Sequence, residues 1–138
     1  MPTGTELNHD QAMRIVEAVS RHLEERSAGA AVAVVDPHGE LIAFIRTDGC
    51  PLPAIANAIH KAFTAAREGV ESGLIGERAR TEGFPITNFG DLRYTGWGGG
   101  VPVMQEGSVI GAVGVSGLAE HEDIELARLG ASTIKEDD

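Results

Sequence analysis

The chain has 138 residues, 42% hydrophobic and 4% aromatic, with 18 glycines, one cysteine and a formal charge of −10. A single domain over residues 1–138 is expected, because a chain this long buries roughly two-thirds of its unfolded surface without disulfides or metals. The lone Cys50 provides neither a disulfide framework nor a CxxC pair. No apolar run approaches the ~20 residues of a membrane span, and the opening MPTGTELNHD is too polar for a leader. Acidity without a Lys/Arg cluster argues against nucleic acid. The expectation is a cytoplasmic protein with no membrane or nucleic-acid partner.

Asn8 and Gln11 have the spacing of a helix-capping box. Ala12, Met13, Ile15, Val16, Val19 and Leu23 then form one apolar stripe, predicting a core-facing helix to about Arg26. After Ser27-Ala28-Gly29, the run Ala30–Val35, the turn Asp36-Pro37-His38-Gly39 and the run Glu40–Arg46 predict an antiparallel hairpin. A long helix is expected from about Pro53 to Val70, its alanines allowing a close backbone approach to a sheet. Ser72–Arg80 reads as a short helix or an irregular turn. Thr81–Gly100 has no period and reads as a long loop, with a short strand near Arg93–Trp97. A second hairpin, Val101–Gln105 and Ser108–Ser116, precedes a helix from Glu120 to Lys135 and the acidic tail Glu136–Asp138. Glu120, Glu122 and Asp123 suit the positive end of that helix. The order α-β-β-α-loop-β-β-α describes an α+β (α/β-class) fold with helices packed on an antiparallel sheet.

Ten of the 18 glycines lie between Gly83 and Gly117, and four of the six aromatics (Phe84, Phe89, Tyr94, Trp97) fall in the same stretch. This marks either a pocket or a subunit surface, or else rings capping the core and glycines serving turns. The glycine strings are not phosphate motifs. Gly96-Trp-Gly98-Gly-Gly100 opens a strand rather than a helix, and Gly111–Gly117 lacks the Lys-Ser/Thr of a P-loop. Ser116 lacks the second glycine of a nucleophile elbow.

Val34-Val-Asp36 with Gly39, Arg46-Thr-Asp48-Gly49, Ala58-Ile-His-Lys61-Ala-Phe-Thr64-Ala-Ala66, Gly99-Gly-Val-Pro102 and Ile110-Gly-Ala-Val-Gly-Val-Ser-Gly117 occur in collinear order. Together they resemble the GlcG/HbpS (DUF336) family of small haem-binding-like proteins, over about residues 9 to 135. Thr81–Gly98 departs from the family pattern. The resemblance implies a profilin-like fold with a five-stranded antiparallel sheet and homo-oligomerisation. It also implies functions that include haem binding and unassigned roles in small-molecule catabolism.

Three functional readings follow. As a small-molecule or haem binder, the chain would form a pocket from the 81–100 loop and the central helix. Thr64, Phe89, Tyr94, Trp97, Gly98, Gly99, Gly100 and Ser116 would contact the ligand, with His22 or His60 on the iron; each histidine is equally readable as a packing or surface residue. Cys50-Pro51 is a thiolate-ligand dipeptide or a plain loop. As a cofactor-independent hydrolase, tautomerase or isomerase of a small organic acid, it would use Arg46 as a carboxylate clamp and Lys61 or Glu82 as acid/base. Asp36 would complete the site, and the N–H groups of Gly98–Gly100 would form an oxyanion hole. Asp36 and Arg46 are equally readable as a turn acid and a strand-end salt bridge. Lys61 and Thr64 share a helix face amid alanines that would desolvate the lysine, and Lys61→Ala is expected to remove activity and spare the fold. As a non-catalytic scaffold, the chain would bury the glycine-aromatic stretch in a closed oligomer.

Overall fold

The computed structural model describes residues 6–135, so the start of the polar N-terminal stretch and the acidic tail Glu136–Asp138 lie outside the described residues. Helix α1 (His9–Glu25) is capped as its spacing predicts: the Asn8 side chain accepts the Gln11 N–H at 2.8 Å and the Gln11 side chain accepts the Asn8 N–H at 2.9 Å. β1 (Ala31–Val35) and β2 (Leu41–Arg46) form the expected hairpin, and α2 (Leu52–Glu68) ends at Gly69 in the left-handed conformation. Ser72–Glu82 is helix α3. A 3-10 turn at Ile86–Phe89, β3 (Gly100–Gln105), β4 (Ser108–Ser116) and α4 (Glu120–Ser132) complete the chain.

The sheet among the described residues has four antiparallel strands in the order β2-β1-β4-β3, not five. Arg93–Trp97 adds no strand because its backbone bonds are taken by side chains. The Thr95 N–H goes to Thr64 Oγ1 at 3.0 Å, and the Trp97 carbonyl accepts Ser72 Oγ at 2.6 Å. The long loop is also shorter than its composition suggests, since α3 continues through Glu82.

β1 is buried along its whole length, and its alternation separates two cores. Val32 and Val34 point into a cluster with Ile15, Val19 and Leu23 of α1 and Leu126 of α4. Ala31, Ala33 and Val35 point the other way, against Ala58, Ala62 and Ala65 of α2. The sheet is therefore covered on both faces, by α1 and α4 on one and α2 on the other. α2 lies unusually close because the strands beneath it carry glycine: a Cβ at Gly114 would collide with the Ala58 carbonyl, and one at Gly100 with the Lys61 carbonyl.

Candidate functional site

The close seat of α2 carries Lys61 over the end of β4. Its side chain is 4% exposed, and Nζ donates to the Val115 carbonyl at 2.9 Å and to Asp123 Oδ2 at 3.2 Å. Asp123, on the first turn of α4 and also 4% exposed, accepts the Leu118 N–H on Oδ1 at 3.1 Å. Burial pushes the Asp123 carboxyl above its ordinary range, while the Lys61 ammonium and the Leu118 and Gly117 N–H groups pull against that rise. One ion pair thus ties α2, the end of β4 and α4 together.

A cleft of about 280 Å³ opens above this pair. Pro51, Pro53, Ala54 and Asn57 of the α2 start form one wall, Ser116–Leu118, Glu120 and Asp123 the other, and Trp97 overhangs it. Ser116 is 6% exposed, and its hydroxyl makes no hydrogen bond among the described residues. The hydroxyl opens onto the cleft and is free to pair with an incoming ligand. The Asn57 amide is likewise unpaired. On the other side of Trp97 and Glu120, a wider cleft of about 580 Å³ lies between α3 and the loop, walled by Ala79, Arg80, Phe84, Ile86 and Gly96.

Of the residues singled out in the sequence, Lys61, Trp97 and Ser116 line the first cleft. Arg46 ends β2 opposite Ala31, whose other neighbour is Ser116, so it stands two strands from the cleft floor, roughly 10 Å away. Arg46 forms no ion pair among the described residues, and its charge reaches Cys50, whose thiol burial pushes upward, away from the thiolate form. Asp36 lies at the opposite end of the hairpin, about 15 Å along the strand from Arg46. There it accepts the His38 and Glu40 N–H groups at 2.8 and 3.0 Å, so the turn reading of Asp36 describes it and no clamp with Arg46 forms. Glu82 is exposed at the end of α3 and lines neither cleft.

Gly98–Gly100 do not present a free oxyanion hole. The Gly98 N–H donates to Glu120 Oε2 at 2.7 Å and the Gly100 N–H to Ser72 Oγ at 2.9 Å, while Gly99, at φ +125°, packs under Lys61. Thr64 is fully buried, donating to the His60 carbonyl and accepting from Thr95. Phe89 and Tyr94 stack at 4.4 Å, and Tyr94 meets Phe63 edge-on at 5.7 Å. The Arg93 guanidinium covers the Phe63 ring at 4.0 Å and pairs with Asp91 at 2.9 Å. This group clamps the later half of α2 instead of walling the cleft. The sequence does not mark Glu120 and Asp123 as site residues, because nothing in a linear chain distinguishes helix-dipole acids from cleft acids, and Asn57 is there one polar residue among many on a helix.

His22 is on α1 and His60 on α2, on opposite faces of the sheet, and neither lines a cleft. Neither cleft wall contains a His, Cys, Met or Tyr, the side chains that hold haem iron. The wider cleft is lined by Phe84, Ile86 and Trp97 and by one cation, Arg80, and its residues do not fit haem iron.

The fold and cleft define a small α+β protein with a two-sided antiparallel sheet and a ligand-sized opening at the end of a central strand. The chain belongs to the HbpS-like family: the model described as haem degrading protein HbpS-like matches residues 7–132. Protein GlcG of Escherichia coli strain K12 is 33% identical over 123 residues, covering 84% of this chain and 85% of that protein. A crystal structure of a Streptomyces reticuli HbpS double mutant superposes with a TM-score of 0.86 at 26% identity, over 98% of this chain and 91% of that one. PduOC, solved as a complex with haem, has the same fold, with a TM-score of 0.85 at 20% identity over 94% of this chain and 96% of that one.

Proposed function

We propose that this chain is a small-molecule-binding protein of the GlcG/HbpS type whose ligand sits in the cleft above Lys61 and Asp123. The observation that carries this reading is Ser116, a residue 6% exposed whose unpaired hydroxyl opens onto a cleft near the lower size limit of ligand pockets. The loop expected to form the pocket contributes Trp97 alone to this wall. A thermal-shift panel of small polar compounds tests the reading, since a ligand at a hundred times its dissociation constant stabilises by about 2.7 kcal/mol. Ser116→Ala is expected to remove that shift and leave the ligand-free melting temperature within a degree or two. Equal shifts in both proteins for every compound would sink the assignment.

Catalysis within this reading rests on Lys61 and Asp123, a buried ion pair lining the cleft, instead of the dispersed Lys61, Arg46 and Asp36. A second reading places a planar, carboxylate-bearing ligand such as haem in the wider cleft. It is supported by the family description, by Phe84, Ile86 and Trp97 as walls, and by Arg80 as a carboxylate partner. Hemin titration checks it: quenching of Trp97 with a spectrum that His22→Ala and His60→Ala leave unchanged is expected. Self-association belongs to the proposal too, because Trp97 is 61% exposed beside the cleft. Sedimentation velocity of Trp97→Ala, with a concentration-dependent loss of assembly, is the corresponding measurement.

A further inference from the structure

The charges of the cleft select the charge of its ligand. Three ionisable side chains line it: Lys61, Glu120 and Asp123. Lys61 and Asp123 form an ion pair at 3.2 Å, so as a unit they carry no net charge. Glu120 has no cation. Its Oε2 accepts the Gly98 N–H at 2.7 Å and its other oxygen accepts nothing among the described residues. Arg80, across Trp97 in the wider cleft, forms no ion pair with it.

The start of α4, which in other helices would attract an anion, already holds Glu120, Glu122 and Asp123. Only Glu122 among them has an arginine, Arg26 at 3.5 Å. The cleft is thus left with one unneutralised carboxylate, on a chain whose formal charge of −10 repels further anions. The facing wall is uncharged, and over it hangs the exposed Trp97 indole, whose face attracts cations. Ser116 and Asn57 are the unpaired neutral hydrogen-bonding groups.

We propose that the cleft takes a small protonated amine bearing a hydroxyl, its ammonium held by Glu120 and the Trp97 ring and its hydroxyl by Ser116, and that it rejects small carboxylates. The proposal rests on the cleft being the ligand site. It replaces the organic acid expected from Arg46 and Lys61, because Arg46 does not line the cleft and Lys61 is already neutralised.

Trp97 is the only tryptophan of the chain, so its fluorescence reports binding in either cleft that it lines, and Ser116, which lines only the narrower one, tells the two apart. Ethanolamine, ethylene glycol and glycolate are close in size and differ in charge. Titrated to about 50 mM at low salt, as suits ligands of so few atoms, ethanolamine should saturate at least about tenfold below the other two. Glu120→Gln keeps an acceptor for the Gly98 N–H and should abolish that preference. Ser116→Ala should weaken ethanolamine without restoring glycolate. Tighter glycolate or ethylene glycol binding that still depends on Ser116 overturns the charge assignment and leaves the cleft reading standing. Ethanolamine binding indifferent to Ser116→Ala overturns both. A preference that survives Glu120→Gln, or no saturation by ethanolamine, overturns the proposal.

Discussion

Lys61 is flanked by alanines in the sequence, and the desolvation this implies is what the structure shows. Its partner could not be read, because Asp123 lies 62 residues later and is indistinguishable there from its neighbours Glu120 and Glu122. The pair changes the expected outcome of Lys61→Ala, which would leave the Asp123 carboxylate buried and uncompensated. A loss of about 3–5 kcal/mol in urea unfolding is expected, not an intact fold. Lys61→Met combined with Asp123→Leu should recover only part of that loss, since the Leu118 and Gly117 N–H groups also lose their acceptor. Tyr94 gives a cleaner titration, being the only tyrosine. Burial and the Glu68 carboxylate, which accepts its hydroxyl at 2.5 Å, push its pKa up to about 12. A phenol whose folded pKa lies above its unfolded value near 10 contributes stability that is complete below about pH 10 and is lost as pH rises toward 12. Tyrosinate absorbance should show the raised midpoint, and Tyr94→Phe should lose less stability over that interval.

At the scale of elements, the two hairpins and three of the four helices are legible in the sequence, from apolar runs bounded by turn residues, from the apolar stripes of α1 and α2 and from the acids that open α4. α3 reads from the sequence as either a helix or a turn. Its apolar positions are few, and its place is set by glycine contacts: Gly76 meets Gly96 and Gly73 meets Gly98 across α3 and the loop. The seating of α2 is the sharper case. Alanines on the helix imply a close approach, but Gly100 and Gly114 on the strands complete it, a role that their place in a glycine-rich stretch does not reveal. Gly114→Ala would drive a methyl into the Ala58 carbonyl, where backbone and not a flexible side chain must yield. A loss of about 3 kcal/mol or more is expected, visible as a lower midpoint in chemical denaturation, whereas Gly107→Ala meets no atom and costs mainly the strain of its left-handed φ.

For the whole molecule, the skew of glycines and aromatics toward Gly83–Gly117 has several structural causes instead of one pocket. Gly100 and Gly114 seat α2, while Phe89 and Tyr94 stack over Phe63, and Trp97 alone of the aromatics faces the narrower cleft. Stability should be greatest where both sheet faces and both strand edges are covered. The slowest amide exchange is therefore expected in β1 and β4, with β2 and β3 opening at lower free energy because each has one unpaired edge. Hydrogen-exchange rates fastest in the central pair would contradict this layering.

The sequence by itself determined the class of fold, the hairpins, the helix stripes and the family, because these depend on short-range periodicity and on collinear strings of residues. The site was decided by tertiary structure. Asp36 and Arg46, near each other in the chain's logic, are separated by the length of an antiparallel strand, whereas Lys61, Ser116, Glu120 and Asp123 are gathered where α2 crosses the end of β4. The number of strands was decided there as well, since the side chains of Thr64 and Ser72 take the backbone bonds that a fifth strand would have needed.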